Sequence, residues 1–184
     1  MKDLEINDRI EIALSIVLKN DAYLLQKNIN ERTIAHKLAT YLQYTFPEYH
    51  VDCEYNGNVL GDNEKKYIIL LKKDLQRLLP KPKEEIIDKE IIERLVYPDI
   101  VIHKRGIPEN LCIIEIKKST SKIPSDYDEL KLKCYTSNDN DNDLKYKLGI
   151  FIKFSAGVSK PTYTLKWYRK GTEISERSLA ADYA

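Results

Sequence analysis

The sequence predicts a single α/β domain, a β-sheet with helices packed against it. Three observations carry this expectation. Apolar residues recur at helical spacing near the start: Ile10, Ala13, Leu14, Val17 and Leu18 form one stripe, and Ile34, Ala35, Leu38, Ala39 and Leu42 another. The run Leu111-Cys112-Ile113-Ile114-Glu115-Ile116-Lys117-Lys118 is apolar on both alternating faces, the mark of a central strand. Strand and helix patterns then alternate to about residue 168 with no internal repeat or linker, so one domain spans residues 1–184.

The elements follow in order. A helix is expected over 7–19, and a second after Asn30, a natural N-cap, running to about Tyr44 before Pro47. His50 to Tyr55 alternates as a strand and ends at the Asn56-Gly57 turn. Tyr67 to Leu79 reads as a helix, or as a strand leading into one; Pro80 and Pro82 break it, and Lys83 to Glu93 reads as a short charged helix. Ile100-Val101-Ile102 and Leu111 to Lys118 flank a turn and form a hairpin. A third helix starts at Ser125, with Ser125 and Asp128 in capping-box positions and Tyr127, Leu130, Lys131 and Cys134 on its inner face. Ser137 to Asp143 reads as a solvated loop, Leu148 to Phe154 and Thr162 to Tyr168 as strands, and 171–184 as a tail without pattern.

Composition narrows the function classes. Apolar residues make up 42% and charged residues 32%, enough apolar material for a real core. With 30 Lys and Arg against 29 Asp and Glu the net charge is +1, so a nucleic-acid partner would be held by a local basic patch. No apolar run approaches the length of a membrane span, and the start, Met1-Lys2-Asp3-Leu4-Glu5, is not a signal peptide; a cytoplasmic location is expected. Cys53, Cys112 and Cys134 are odd in number and form no CxxC, which fits buried reduced thiols. His36, His50 and His103 lack metal-ligand spacing, so any metal would be held by carboxylates.

Several charges fall where apolar residues belong. Glu115 and Lys117 share one face of the central strand, where a buried carboxylate needs a partner; Lys117 could supply it, or the strand end could emerge into water. A hairpin centred on Ile107 places Asp99 opposite Glu115. Two carboxylates converging there repel unless a cation lies between them, and oxygen ligands suit Mg²⁺ or Mn²⁺. Glu31 lies on the stripe of Ile34, Ala35 and Leu38, either as a functional acid or as a first-turn acid complementing the helix dipole. Lys131 sits among Tyr127, Leu130 and Cys134, as a functional cation or a snorkelling stem.

Pro98-Asp99 followed by Glu115-x-Lys117 resembles the PD-(D/E)xK nuclease superfamily. The order of helix with Glu31, strand, hairpin, helix with Lys131 and strand matches that family's core over about residues 25–155, leaving helix 7–19 and an insertion at about 60–95 as additions. The resemblance implies a restriction-endonuclease-like fold, a mixed central β-sheet flanked by helices, and hydrolysis of phosphodiester bonds with Mg²⁺ or Mn²⁺. It implies Asp99 and Glu115 as principal metal ligands, the main-chain carbonyl of Ile116 completing the shell, and Glu31 assisting through water. Lys117 would orient or activate the attacking water, and Lys131 would match the basic or amide residue some subfamilies place on the following helix.

The partner implied is nucleic acid, DNA favoured over RNA, in defence, repair or a mobile element; a homodimer or protein partner stays open. Lys118, His103, Lys104 and Arg105 are the leading phosphate contacts, with Lys65, Lys66, Lys72, Lys73, Arg77, Lys81 and Lys83 as further candidates. The alternative is a catalytically silent module of this fold that binds DNA or a protein within a larger complex.

Overall fold

The computed structural model describes residues 1–58, 65–71, 78, 91–138, 142 and 144–179. Its elements are α1 (Asp3–Asn20), α2 (Ala22–Gln26), α3 (Glu31–Thr45), β1 (His50–Cys53), β2 (Tyr67–Leu71), β3 (Ile91–Leu95), β4 (Ile100–Lys104), β5 (Glu109–Lys118), α4 (Asp126–Thr136), β6 (Leu148–Phe154), β7 (Tyr163–Arg169), β8 (Thr172–Ile174) and α5 (Glu176–Leu179). Six strands form one mixed sheet in the order β1-β4-β5-β6-β7-β8. Only β5 and β6 run parallel within it, and α4 makes the crossover that a parallel pair requires.

Helices cover both faces because the central strands are apolar on both. Ile114 and Ile116 of β5 and Ile150 and Ile152 of β6 meet α1 and α3 through Ile6, Ile10, Leu14, Leu38 and Leu42. The alternate residues, Ile113 and Phe151, meet Leu132 and Tyr135 of α4, with Ile68 and Leu70 of the small β2–β3 pair closing that side. Gly149 lets α4 approach β6: a Cβ there would lie 3.1 Å from Thr136 Cγ2 and 3.3 Å from Leu132 Cδ2. Gly149→Val is therefore expected to destabilise the fold by about 1–3 kcal/mol through overpacking. A urea midpoint equal to that of the parent would show that α4 is not held against the sheet here.

The N-terminal helices and the hairpin agree with expectation. Asn30 Oδ1 accepts from the N–H of Thr33 at 2.8 Å, the N-cap of α3. The hairpin pairs Ile100 with Ile114 and Val101 with Ile113, the alignment that brings Asp99 level with Glu115; a bulge then shifts the register after Ile102.

Other readings need correction. Residues 67–71 are a strand, the second of the two readings, and 91–93 belong to β3 rather than to a charged helix; 72–77 and 79–90 lie outside the described residues. Ser125 makes no side-chain cap, because its hydroxyl turns to Glu129 and Asp128 turns to two lysines. The deepest residues of α4 are Leu132, Tyr135 and Thr136, one step around the helix from the expected face. Ser137 and Asn142 are buried rather than solvated: Asn142 Oδ1 accepts from the N–H of Ile69 at 3.1 Å, tying its loop to β2. The tail contains β8 and the short α5. Cys53 is exposed on the edge strand, whereas Cys112 is buried; none of the three cysteines is in a disulfide. No helix among the described residues is long and apolar enough to cross a membrane.

Candidate active site

The end of β5 carries the charged cluster, and three elements fix it. The carbonyls of Asn28 and Ile29 accept from Lys118 Nζ at 3.2 and 2.8 Å, and Glu31 Oε1 accepts from the N–H of Lys118 at 2.8 Å. These bonds dock the start of α3 on the strand end. Asp99, just before β4, accepts from the N–H of Ile116 at 2.7 Å. Glu115 and Lys117 project toward α4 with Ile113, as strand alternation demands.

Glu115 is 2% exposed and Lys117 9%. Their expected mutual pairing is not what forms. Lys131 Nζ lies 2.8 Å from Glu115 Oε2, and the Tyr135 hydroxyl donates to Glu115 Oε1 at 3.2 Å. Lys117 Nζ lies 2.6 Å from Asp128 Oδ2, and Asp128 Oδ1 is 3.0 Å from Lys131. The result is an alternating chain, Lys117–Asp128–Lys131–Glu115, that joins β5 to α4. Lys131 also stands over the Tyr127 ring, 5.5 Å from its centroid.

Asp128 and Tyr135 were not anticipated. A pattern could have found them: 128, 131 and 135 fall at i, i+3 and i+7, one stripe of α4 that carries an acid, a base and a hydroxyl.

The cluster holds more negative than positive groups, with Asp99, Glu115, Asp128 and Glu31 facing Lys117 and Lys131. Burial is the main force on the Glu115 carboxyl, with Asp99 and Asp128 adding repulsion; together they outweigh Lys131 and push it up to about 8. Burial likewise pushes Asp99 up to about 6, against the N–H of Ile116 and Lys131, with Asp128 and Glu31 adding to the rise. Burial works against the charge on Lys131, yet Glu115 and Asp128 raise it above the ordinary lysine value. Tyr135 rises through burial and then through Glu115.

Among the described residues no group of three or more His, Cys, Asp or Glu is gathered closely enough to hold a metal ion. The oxygen donors that the resemblance names are the Asp99 and Glu115 carboxylates and the main-chain carbonyl of Ile116, next to Glu115 on β5. That is a hard, oxygen-only set of the kind Mg²⁺ accepts while keeping several waters. Two carboxylates held toward their protonated forms, chiefly by burial and further by neighbouring acids, are a place where added positive charge is favoured. Glu31 stands across the strand end and meets the backbone of Lys118.

Of the expected phosphate contacts Lys118 lies at the site, its ammonium held by the carbonyls of Asn28 and Ile29, whereas the others described sit elsewhere and are mostly engaged. His103 is 2% exposed with Nε2 3.0 Å from Asp52 Oδ2, and Arg105 forks onto the same carboxylate. Lys104 pairs with Glu109 at 2.9 Å. Lys66 is buried, its ammonium on the carbonyl of Gly57 and 4.4 Å from the Tyr55 ring centroid. Burial lowers Lys66 to about 8 and lowers His103 as well. Lys72, Lys73, Arg77, Lys81 and Lys83 lie outside the described residues. No protein-family model and no curated protein matches the chain.

Proposed function

We propose that the chain is a metal-dependent nuclease of the PD-(D/E)xK kind with a restriction-endonuclease-like core. The observation that carries the reading is the convergence at one end of a mixed sheet of the buried Glu115 carboxyl, the half-buried Asp99 whose charge disfavours that of Glu115, and the Lys117 ammonium on the same face of β5. The order α3, β1, β4, β5, α4, β6 supports it, being the order of that family's core. By that resemblance the substrate is DNA in preference to RNA.

Asp99 and Glu115, with the Ile116 carbonyl, would hold Mg²⁺ or Mn²⁺. A divalent cation there supplies a more acidic water and neutralises phosphate charge. The residues of the chain do the rest. Lys117 Nζ sets a point charge beside the scissile phosphate and steadies the attacking water. Asp128 holds that ammonium in place, and Lys131 and Tyr135 orient Glu115 through its two oxygens.

The test is incubation of the purified protein with Mn²⁺ and single-stranded, duplex, branched and RNA substrates, beside a melting curve with and without the ion. Cleavage together with a metal-dependent rise in Tm supports the reading. A protein that neither cleaves nor gains Tm would be the silent module, with its ionic chain a purely structural clasp.

A further inference from the structure

A second charged site lies at the other end of the sheet. Strand β6 runs parallel to β5 with Lys153 beside Lys117, so Lys147, just before β6, is roughly 20 Å away along the strand. There a cavity of about 600 Å³ is lined by Asp3, Lys145, Lys147, Arg169 and Lys170 among others. Its volume is that of a small-ligand site. Among the described residues four cations and one carboxylate line it.

Two of the cations are pre-set. Asp3, in the first turn of α1, is fully buried; its Oδ1 lies 2.8 Å from Lys147 and its Oδ2 2.7 Å from Arg169. One carboxylate thus fixes two cations side by side. Lys145 and Lys170 have no carboxylate within ion-pair distance among the described residues.

The backbone adds an independent observation. Lys145 and Lys170 both adopt left-handed conformations, with φ of 45° and 51°. Lys170 and Gly171 (φ 77°) form the two-residue turn between Arg169 and Thr172, where both positive φ values favour Asn-Gly. Lysine at such positions is conformationally unfavourable. Two of these residues border the same cavity, and both carry a positive charge with no carboxylate at ion-pair distance among the described residues.

We propose that this cavity binds a phosphate-bearing anion, at a site separate from Glu115 and Lys117. The same chemistry is offered by the backbone of a nucleic acid and by the polyphosphate of a free nucleotide. Asp139, Asp141 and Asp143 are three acids shortly before Lys145 in the sequence, so the test uses two backgrounds, the parent chain and D139N/D141N/D143N.

In each, the affinity for inorganic triphosphate and for a 20-bp DNA duplex is measured without divalent cation across a salt series, with and without K145N/K170N. Asn suits left-handed backbone, so the double variant should melt at or above its parent. It should nonetheless bind about tenfold more weakly, with the salt slope for the duplex smaller by about two. Weakening of duplex binding supports the site and identifies a nucleic-acid backbone. Weakening confined to triphosphate supports it and identifies a free polyphosphate. No binding of either probe, or equal affinity with and without the two lysines in both backgrounds, overturns it. Anion binding that depends on these lysines in a protein that never cleaves would sink the nuclease reading and leave this one standing.

Discussion

Glu115→Gln is expected to reduce cleavage by at least about 10³-fold while leaving the protein as stable as its parent, or more stable, at pH 8. The side chain keeps its shape. Its amide oxygen can still accept from Tyr135 or face Lys131, the two partners of Glu115. What disappears is a negative charge that burial and two neighbouring acids already disfavour. Function and stability should therefore move in opposite directions, which a purely structural carboxylate would not do. Lys117→Met should reduce cleavage by about 10²–10³-fold with little effect on substrate affinity, because its ammonium acts on charge that develops during the reaction. Asp128 would still have Lys131 at 3.0 Å, so the fold should tolerate the loss. Initial rates across a substrate series, beside urea midpoints for each variant, decide the matter. Cleavage at the parent rate in either variant would remove that residue from the catalytic machinery.

The parts of this site that were legible in the sequence are the parts written in strand periodicity. Alternation put Glu115 and Lys117 on one face, and the turn marked the hairpin, although it is the bulge after Ile102 that completes the register levelling Asp99 with Glu115. The helical half was less legible. The first turn of α4 carries Asp126, Asp128 and Glu129, so its apolar stripe is weak, and Asp128 is buried only because two lysines neutralise it. Burial of that kind arises from tertiary contact, and no local pattern announces it. The β2–β3 pair was ambiguous for a related reason. Short apolar runs such as Tyr67–Leu71 suit a helix or a strand equally until the partner is known, here Ile91–Leu95. Strand β8 was missed because its turn is Lys-Gly rather than Asn-Gly.

Lys131→Met should destabilise the metal-free protein by about 3–5 kcal/mol at pH 8, and by less at pH 5. Methionine keeps the apolar stem and removes only the ammonium, so packing beside Tyr127 is largely preserved. Glu115 and Asp128 then lose their shared cation in a buried setting. The pH dependence follows from the direction of the carboxylate shifts. Asp99 and Glu115 are raised in the folded state, to about 6 and about 8, so between about pH 4 and pH 8 the folded chain binds more protons than the unfolded chain. Their contribution to stability is complete below the unfolded values and is lost as pH rises through the folded ones, so the parent itself should weaken over this window. Without Lys131 the charged form of Glu115 is disfavoured further, and the gap between variant and parent should widen with pH. Mn²⁺ should narrow that gap at pH 8, since a cation bound by the carboxylates replaces the missing positive charge. Urea midpoints at pH 5, 6.5 and 8, with and without Mn²⁺, give the answer. A gap equal at all three pH values and indifferent to Mn²⁺ would mean that the Lys131 ammonium does not balance the titrating carboxyls, and that the acidic cluster neither needs nor accepts a cation.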